Sequence, residues 1–258
     1  MKHVARKRFG QNFLHDQNVI NRILSRFNPQ NGEYIVEIGP GLGALTWPLL
    51  EQVDCLHAIE LDRDLVAQFE ADPRTRDRLY LHQHDALKFD FSSLVNPPAK
   101  LRVIGNLPYN ISTPLLFHLL EFAPCISDMM FMLQKEVVQR ITARPGSKNY
   151  GRLSVMLQSK CTVEKILDVQ PGAFTPPPKV DSAVVQLIPH TAPVIDIPDH
   201  EKFARIVKAA FAQRRKTLRN NLKGMMTEAE IKAADVDPSA RAETLSLANF
   251  SALAKQIR

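Results

Sequence analysis

Tyr34-Ile35-Val36-Glu37-Ile38-Gly39-Pro40-Gly41-Leu42-Gly43-Ala44-Leu45-Thr46 is the stretch that decides the fold. Its β-branched run predicts a buried strand, the glycines predict a tight turn, and Leu45, Pro48, Leu49 and Leu50 predict an apolar helix starting where the turn ends. Gly39, Gly41 and Ala44 have the small-residue spacing that lets a nucleotide-like ligand approach the backbone of a strand–turn–helix unit. The next apolar segment, Ala58-Ile59-Glu60-Leu61-Asp62, places Glu60 about 20 residues after the first glycine, where a carboxylate grips ribose hydroxyls. Proline in the loop and Glu37 just before it argue against a nicotinamide dinucleotide, because a carboxylate there opposes a pyrophosphate but suits an ammonium. Adenosine joined to a cationic amino acid is S-adenosylmethionine, and the loop predicts that cofactor. A third segment, Leu79-Tyr80-Leu81, runs into His84-Asp85-Ala86-Leu87, where Asp85 is placed to meet an adenine amine.

Further along, Leu101-Arg102-Val103-Ile104-Gly105 reads as another buried strand and ends at Asn106-Leu107-Pro108-Tyr109. Open α/β sheets bind ligands at such strand ends. The tetrapeptide suits methylation of an exocyclic base amine, whose lone pair is delocalised into the ring until acceptors draw it out. The Asn106 side-chain oxygen and the Leu107 carbonyl can each accept one amine N–H. Pro108 restricts Leu107 to extended geometry and so limits where that carbonyl points. Tyr109 supplies a ring face, and stacking on an aromatic contributes about 1–3 kcal/mol per base. The expected reaction is direct methyl transfer without a covalent enzyme intermediate, since no Ser/His/Asp or Cys/His arrangement stands out. Orientation of bound reactants, at roughly 7–11 kcal/mol, should outweigh any single hydrogen bond.

Composition bounds the remaining classes. At 258 residues and 45% hydrophobic content the chain is long enough to bury a full core. Cys55, Cys125 and Cys161 are far apart, with neither disulfide nor metal spacing, which points to a reducing compartment and no metal. No apolar run approaches the ~20 residues of a membrane span. Met1 to His15 is basic and lacks the apolar core of a secretory signal. With a motif already starting at Phe9, no cleavable leader is expected.

The net charge of +6 is concentrated. Lys202, Arg205, Lys208, Arg214, Arg215, Lys216, Arg219 and Lys223 lie in one stretch without an acid, the footprint of phosphate binding. Phe203, Ile206, Val207, Ala210 and Phe211 follow helical spacing and leave the cations on other faces. Lys2, Arg6, Lys7 and Arg8 form a smaller patch, and Arg140 to Lys148, with Arg144 and Lys148, reads as a basic turn.

Asp16 is placed to cap a helix carrying Val19, Ile20, Ile23, Leu24 and Phe27 on one face. Strands are expected near Tyr34, Cys55, Leu79, Leu101, Met129, Val163 and Val184, alternating with helices, which predicts a parallel sheet covered on both sides. Pro189, Pro193 and Pro198 mark a boundary. Beyond it, Glu201–Gln213, Thr227–Ala234 and Leu245–Ile257 read as helices. The expected domains are 1–192, catalytic, with a basic arm over 1–15, and 193–258, small and all-helical.

Phe9-Gly10-Gln11-Asn12-Phe13-Leu14, Val36 to Thr46, Ile59 to Asp62, Asn106 to Tyr109, Phe174-Thr175-Pro176-Pro177-Pro178-Lys179-Val180-Asp181-Ser182 and Phe211 to Thr217 occur in order across nearly the whole chain. Together they resemble the ribosomal RNA adenine dimethyltransferases. The resemblance implies a Rossmann-like S-adenosylmethionine-dependent methyltransferase, with an antiparallel hairpin at one end of its sheet and a small helical domain. It implies double methylation of the N6 amines of two adjacent adenosines near the 3′ end of small-subunit rRNA, within a pre-assembled subunit, by a cytoplasmic monomer that needs no membrane.

By motif, Asn12, Leu14, Gly39, Gly41, Glu60, Asp85 and Asn106 would contact the cofactor. Asn106, Leu107 and Tyr109 would hold the amine and base, with Phe174 against the other side of the ring. Arg214, Arg215, Lys216, Arg219, Arg144 and Lys148 would meet RNA. One departure is His84, which stands where a glycine is frequent. The alternatives are a DNA adenine or protein glutamine methyltransferase, disfavoured by leucine rather than proline at 107, and a non-catalytic assembly checkpoint, disfavoured by the intact Glu60, Asp85, Asn106 and Tyr109.

Overall fold

Apolar, β-branched segments separated by turn residues become strands in the computed structural model, which describes residues 11–257. Lys2, Arg6, Lys7, Arg8 and most of the expected 1–15 arm therefore lie outside the described residues. The strands are β1 (Phe13–Leu14), β2 (Tyr34–Ile38), β3 (Leu56–Glu60), β4 (Leu79–Gln83), β5 (Leu101–Asn106), β6 (Ile126–Gln134), β7 (Cys161–Val169), β8 (Phe174–Thr175) and β9 (Ser182–Pro189). Seven form one sheet in the order β4-β3-β2-β5-β6-β9-β7. Six include the positions expected from sequence, and β3 starts one residue after Cys55.

From β4 through β6 the pairs are parallel, and β9 then runs antiparallel to β6. The chain leaves β2 for β3 and β4 on one side and returns to β5 on the other. This reversal between β2 and β5 is the switch point at which doubly wound sheets open a crevice beyond their strand ends. Gly105 allows the two strands to approach closely there, since a Cβ on it would lie 2.5 Å from the Ile38 carbonyl oxygen.

The described residues divide into two compact units, 11–138 with 164–189, and 139–163 with 190–257. In the first, α1 (Gln17–Phe27) begins at Asp16, whose Oδ1 accepts from the N–H groups of Asn18 (2.9 Å) and Val19 (3.2 Å). The helix buries Ile20, Ile23, Leu24 and Phe27, as its periodicity predicts. The short α2 (Thr46–Leu50) follows the glycine turn, α3 (Arg63–Glu70) is capped by Asp62, and α4 (Ser112–Leu119) follows the Asn106–Tyr109 loop. Helix α5 (Lys135–Ile141) crosses the boundary between the units.

An ion cluster absent from the sequence expectations braces the end of this unit opposite the strand-end crevice. Arg102 on β5 donates from Nε to Asp128 (2.7 Å) and from one terminal nitrogen to Glu33 (2.7 Å), and its guanidinium lies 4.1 Å over the Phe27 ring.

The second unit holds α6 (Arg152–Gln158), α7 (His200–Ala210), α8 (Leu218–Asn221), α9 (Glu228–Ala233) and α10 (Leu247–Gln256). The expected helical segments are present, with α8 in addition. Phe203, Ile206 and Val207 of α7 pack with Phe250 and Leu253 of α10, and with Tyr150 and Val155. Residues 139–163, assigned to 1–192 from sequence, therefore share the core of the helical unit. No helix among the described residues is long and apolar enough to cross a membrane.

Candidate active site

A cavity of about 330 Å³ opens at the switch point and is lined by Asn12, Leu14, Gly39, Gly41, Glu60, Asp85, Asn106, Leu107 and Tyr109. It thus gathers every residue that the sequence assigned to cofactor or amine, except Phe174.

The loop after β2 takes its shape from its glycines. Gly39, Gly41 and Gly43 all have positive φ, a region that residues with a Cβ rarely enter. A Cβ on Gly43 would lie 2.2 Å from the Trp47 ring nitrogen, and one on Gly41 would press on Phe13 at 3.1 Å. The loop is held to β3 by the Gly39 N–H, which donates to the Ile59 carbonyl at 2.9 Å.

Two carboxyls face this loop. Glu37 is only 1% exposed, and its Oε2 accepts a 2.6 Å bond from the Thr46 hydroxyl. Burial pushes its carboxyl up to about 8, the Thr46 bond opposes that rise, and nearby Glu60 adds to it. At Glu60, Oε1 accepts from the N–H groups of Leu61 (2.8 Å) and Asp62 (2.9 Å), while among the described residues Oε2 has only the Gly41 N–H at 3.4 Å. Burial also raises this carboxyl above its usual range, against the pull of those backbone donors. The backbone bonds fix the side chain and leave Oε2 able to accept more.

Asp85 lies at the end of β4 and turns its own backbone, with Oδ1 accepting from the Leu87 N–H at 3.0 Å. His84 has no positive φ, so this turn does not require the glycine frequent in the resembling family. Its N–H donates to the Glu60 carbonyl at 3.1 Å, joining the two acid-bearing strand ends.

Asn106 donates from Nδ2 to the Asn12 carbonyl at 3.0 Å. That bond orients the amide so that Oδ1 is the atom left to accept. Leu107 is tied through its N–H to the Met132 carbonyl at 3.1 Å. The Tyr109 hydroxyl lies 2.6 Å from Ser182 Oγ; burial raises the phenol above its usual range, and the Ser182 bond opposes the rise.

Two distant motifs meet through the short β1–β8 pair, in which Phe13 faces Thr175 and Leu14 faces Phe174. Phe174 is 2% exposed, sits in the core with Leu14, and is not part of the cavity lining. Among the described residues, the aromatics that do line the cavity are Phe13 and Tyr109. Sequence reasoning gives no role to Phe13, Thr46 or Ser182. All three stand inside the quoted motifs, and that position is their only signal.

In the helical unit, Arg144, Lys148, Arg214, Arg215, Lys216 and Arg219 are exposed. Arg214 Nε donates to Glu243 at 2.9 Å, a terminal nitrogen donates to the Lys148 carbonyl, and the Gly146 N–H donates to the Glu243 carbonyl at 2.7 Å. Arg214 and Glu243 therefore join the basic turn to the 214–216 cations, making one patch from two separated runs. Arg219 faces Glu228 at 3.6 Å.

The cavity's features suit S-adenosylmethionine: a carboxylate with an oxygen able to accept from paired hydroxyls, a buried carboxyl beside it, and a glycine turn that forms part of the lining. Comparison with known proteins agrees. The family described as Ribosomal RNA adenine dimethylase matches residues 2–258. The chain is 58% identical over 251 residues to Ribosomal RNA small subunit methyltransferase A of Thiobacillus denitrificans, covering 97% of each chain. It is 56% identical over 256 residues to the protein of the same name from Pseudomonas aeruginosa, covering 99% of this chain and 96% of that one. In fold it is similar to a dimethyladenosine transferase from Plasmodium falciparum, with a TM-score of 0.74 at 24% identity over 93% of this chain and 95% of that one. It is likewise similar to the 23S rRNA methyltransferase ErmE, with a TM-score of 0.69 at 24% identity over 95% and 99%.

Proposed function

We propose, from the premise that this chain belongs to the ribosomal RNA adenine dimethylase family, that Asn106 and Leu107 are the acceptors that activate an adenine N6 amine and that Tyr109 holds its base. The protein is an S-adenosylmethionine-dependent rRNA adenine dimethyltransferase with a Rossmann-like catalytic fold. Its proposed target is a pair of adjacent adenosines near the 3′ end of small-subunit rRNA in a pre-assembled subunit, modified in the cytoplasm by a monomer.

The observation that carries the assignment is the orientation of Asn106. Its Nδ2 is held by the Asn12 carbonyl, so its oxygen is turned to accept from an amine. Glu60 would bind the ribose hydroxyls, Asp85 the adenine amine of the cofactor, and Glu37, giving up its proton as the cofactor binds, its ammonium. Asn12, Leu14, Gly39 and Gly41 would complete the cofactor's surroundings. S-adenosylmethionine, when bound, supplies an electrophilic methyl group. Asn106 and the Leu107 carbonyl each accept one N–H of the target amine, which draws its lone pair out of conjugation. No strong base is needed from the chain, because the amine proton becomes acidic once the nitrogen is alkylated. Phe174 reaches the far face of the base only if its β8 segment exposes it.

Arg144, Lys148, Arg215, Lys216 and Arg219 would contact rRNA phosphates, with Arg214 bracing the turn beside them. Methyl transfer from labelled cofactor to purified immature small subunits tests this reading. Incorporation into those subunits as dimethyladenosine, with none into DNA or protein-free RNA, is the expected result; equal incorporation into DNA would overturn it.

A further inference from the structure

The ring of Tyr109 is fixed at its far end. Its hydroxyl lies 2.6 Å from Ser182 Oγ, and Ser182 is fully buried as the first residue of β9, opposite Gln134 of β6. The backbone presenting Ser182 is itself held, since the Lys135 N–H donates to the Asp181 carbonyl at 2.9 Å and Lys135 Nζ lies 3.4 Å from the Asp181 carboxylate. The Leu107 N–H reaches the Met132 carbonyl of β6 at 3.1 Å. The catalytic loop is therefore clamped to one antiparallel strand pair at two points, by the backbone of one acceptor residue and by the tip of the stacking ring. A phenyl ring held only by its own torsions can tilt, whereas one tethered at the para hydroxyl has its plane set.

We propose that Ser182 is a positioning residue that sets the plane of Tyr109 against the target base, and that this bond governs the second methyl transfer more than the first. The proposal rests on the dimethyltransferase reading above. An N6 amine presents two N–H groups to Asn106 and Leu107 before the first transfer and one after it. The monomethylated base has one polar anchor fewer, so its attitude depends more heavily on the ring beneath it. A ring free to tilt therefore harms the second transfer disproportionately.

The test compares wild type, Ser182→Ala, Tyr109→Phe and the double variant on immature small subunits, following monomethyl- and dimethyladenosine by mass spectrometry over time. Cofactor affinity is measured in parallel by calorimetry. Each single variant should slow the second transfer relative to the first by about tenfold, the effect of losing one well-formed hydrogen bond. Monomethyladenosine should accumulate, and cofactor affinity should stay within about twofold. The double variant should be no worse than either single, because both remove the same bond. Strictly additive effects, equal slowing of both transfers, or a wild-type time course in Ser182→Ala would each overturn the role given to Ser182. If wild type itself stops at monomethyladenosine, the dimethyltransferase reading fails and takes this proposal with it.

Discussion

Glu37 is charged at pH 7 in an unfolded chain but protonated when buried, and this difference has a sign that can be measured. Its folded carboxyl sits at about 8 against an ordinary 4.5. The native state thus holds a proton that the unfolded state has released, so stability is full below about pH 4, falls as pH rises through that window, and levels off above about 8. Glu37→Gln should flatten the decline in melting temperature of the cofactor-free protein between pH 5 and 9; a curve parallel to wild type would show that Glu37 does not hold the proton. Glu60 differs in that Oε2 remains able to accept. Glu60→Ala should weaken S-adenosylmethionine binding by about 1.5–3 kcal/mol for each charged hydrogen bond removed. Glu60→Gln, which retains an acceptor for the Leu61 and Asp62 N–H groups, should lose less. Unchanged calorimetric affinity in Glu60→Ala would remove it from the cofactor site.

At the level of elements, Arg102 joins β5, β6, α1 and the segment before β2 through Asp128, Phe27 and Glu33. Arg102→Ala leaves the buried Asp128 without its guanidinium and should cost about 3–5 kcal/mol in urea unfolding. A loss under about 1 kcal/mol would reduce the cluster to an ordinary surface pair. This cluster is not legible in the sequence, because Arg102 lies dozens of residues from each of its partners and no local pattern joins them. The large strands are, since each carries five or more residues of apolar or alternating character, and the Asp16 cap follows from short-range chemistry alone. The β1–β8 pair has no signature because two-residue strands show no periodicity. Proximity in sequence groups residues 139–163 with the preceding strands, while Tyr150 and Val155 pack with Phe203. Of the site, the residues whose type dictates a role (Glu60, Asp85, Asn106) are legible. Thr46 and Ser182 matter only through the partners Glu37 and Tyr109, which the fold supplies.

For the whole molecule, docking and chemistry should separate experimentally. Neutralising Arg215 and Lys216 should weaken binding to small subunits and reduce its salt slope by about 0.7–0.9 log units for each phosphate no longer neutralised, with cofactor affinity unchanged. An unaltered slope would return those side chains to a solvated surface. Neutralising Arg214 should act through the 144–148 turn, since Arg214 holds the Lys148 carbonyl and Glu243. Both transfers depend on activation of an adenine N6 amine by Asn106. It is tested most directly by digesting rRNA from immature small subunits after incubation with S-adenosylmethionine and either wild type or Asn106→Ala, and quantifying the methylated adenosines by mass spectrometry. Wild type should convert its targets through N6-methyladenosine to N6,N6-dimethyladenosine, and Asn106→Ala, folded and assayed at saturating cofactor, should lose most of both steps. Wild-type rates in Asn106→Ala, or a wild-type product that stays at the monomethyl stage with enzyme and cofactor in excess, would contradict it.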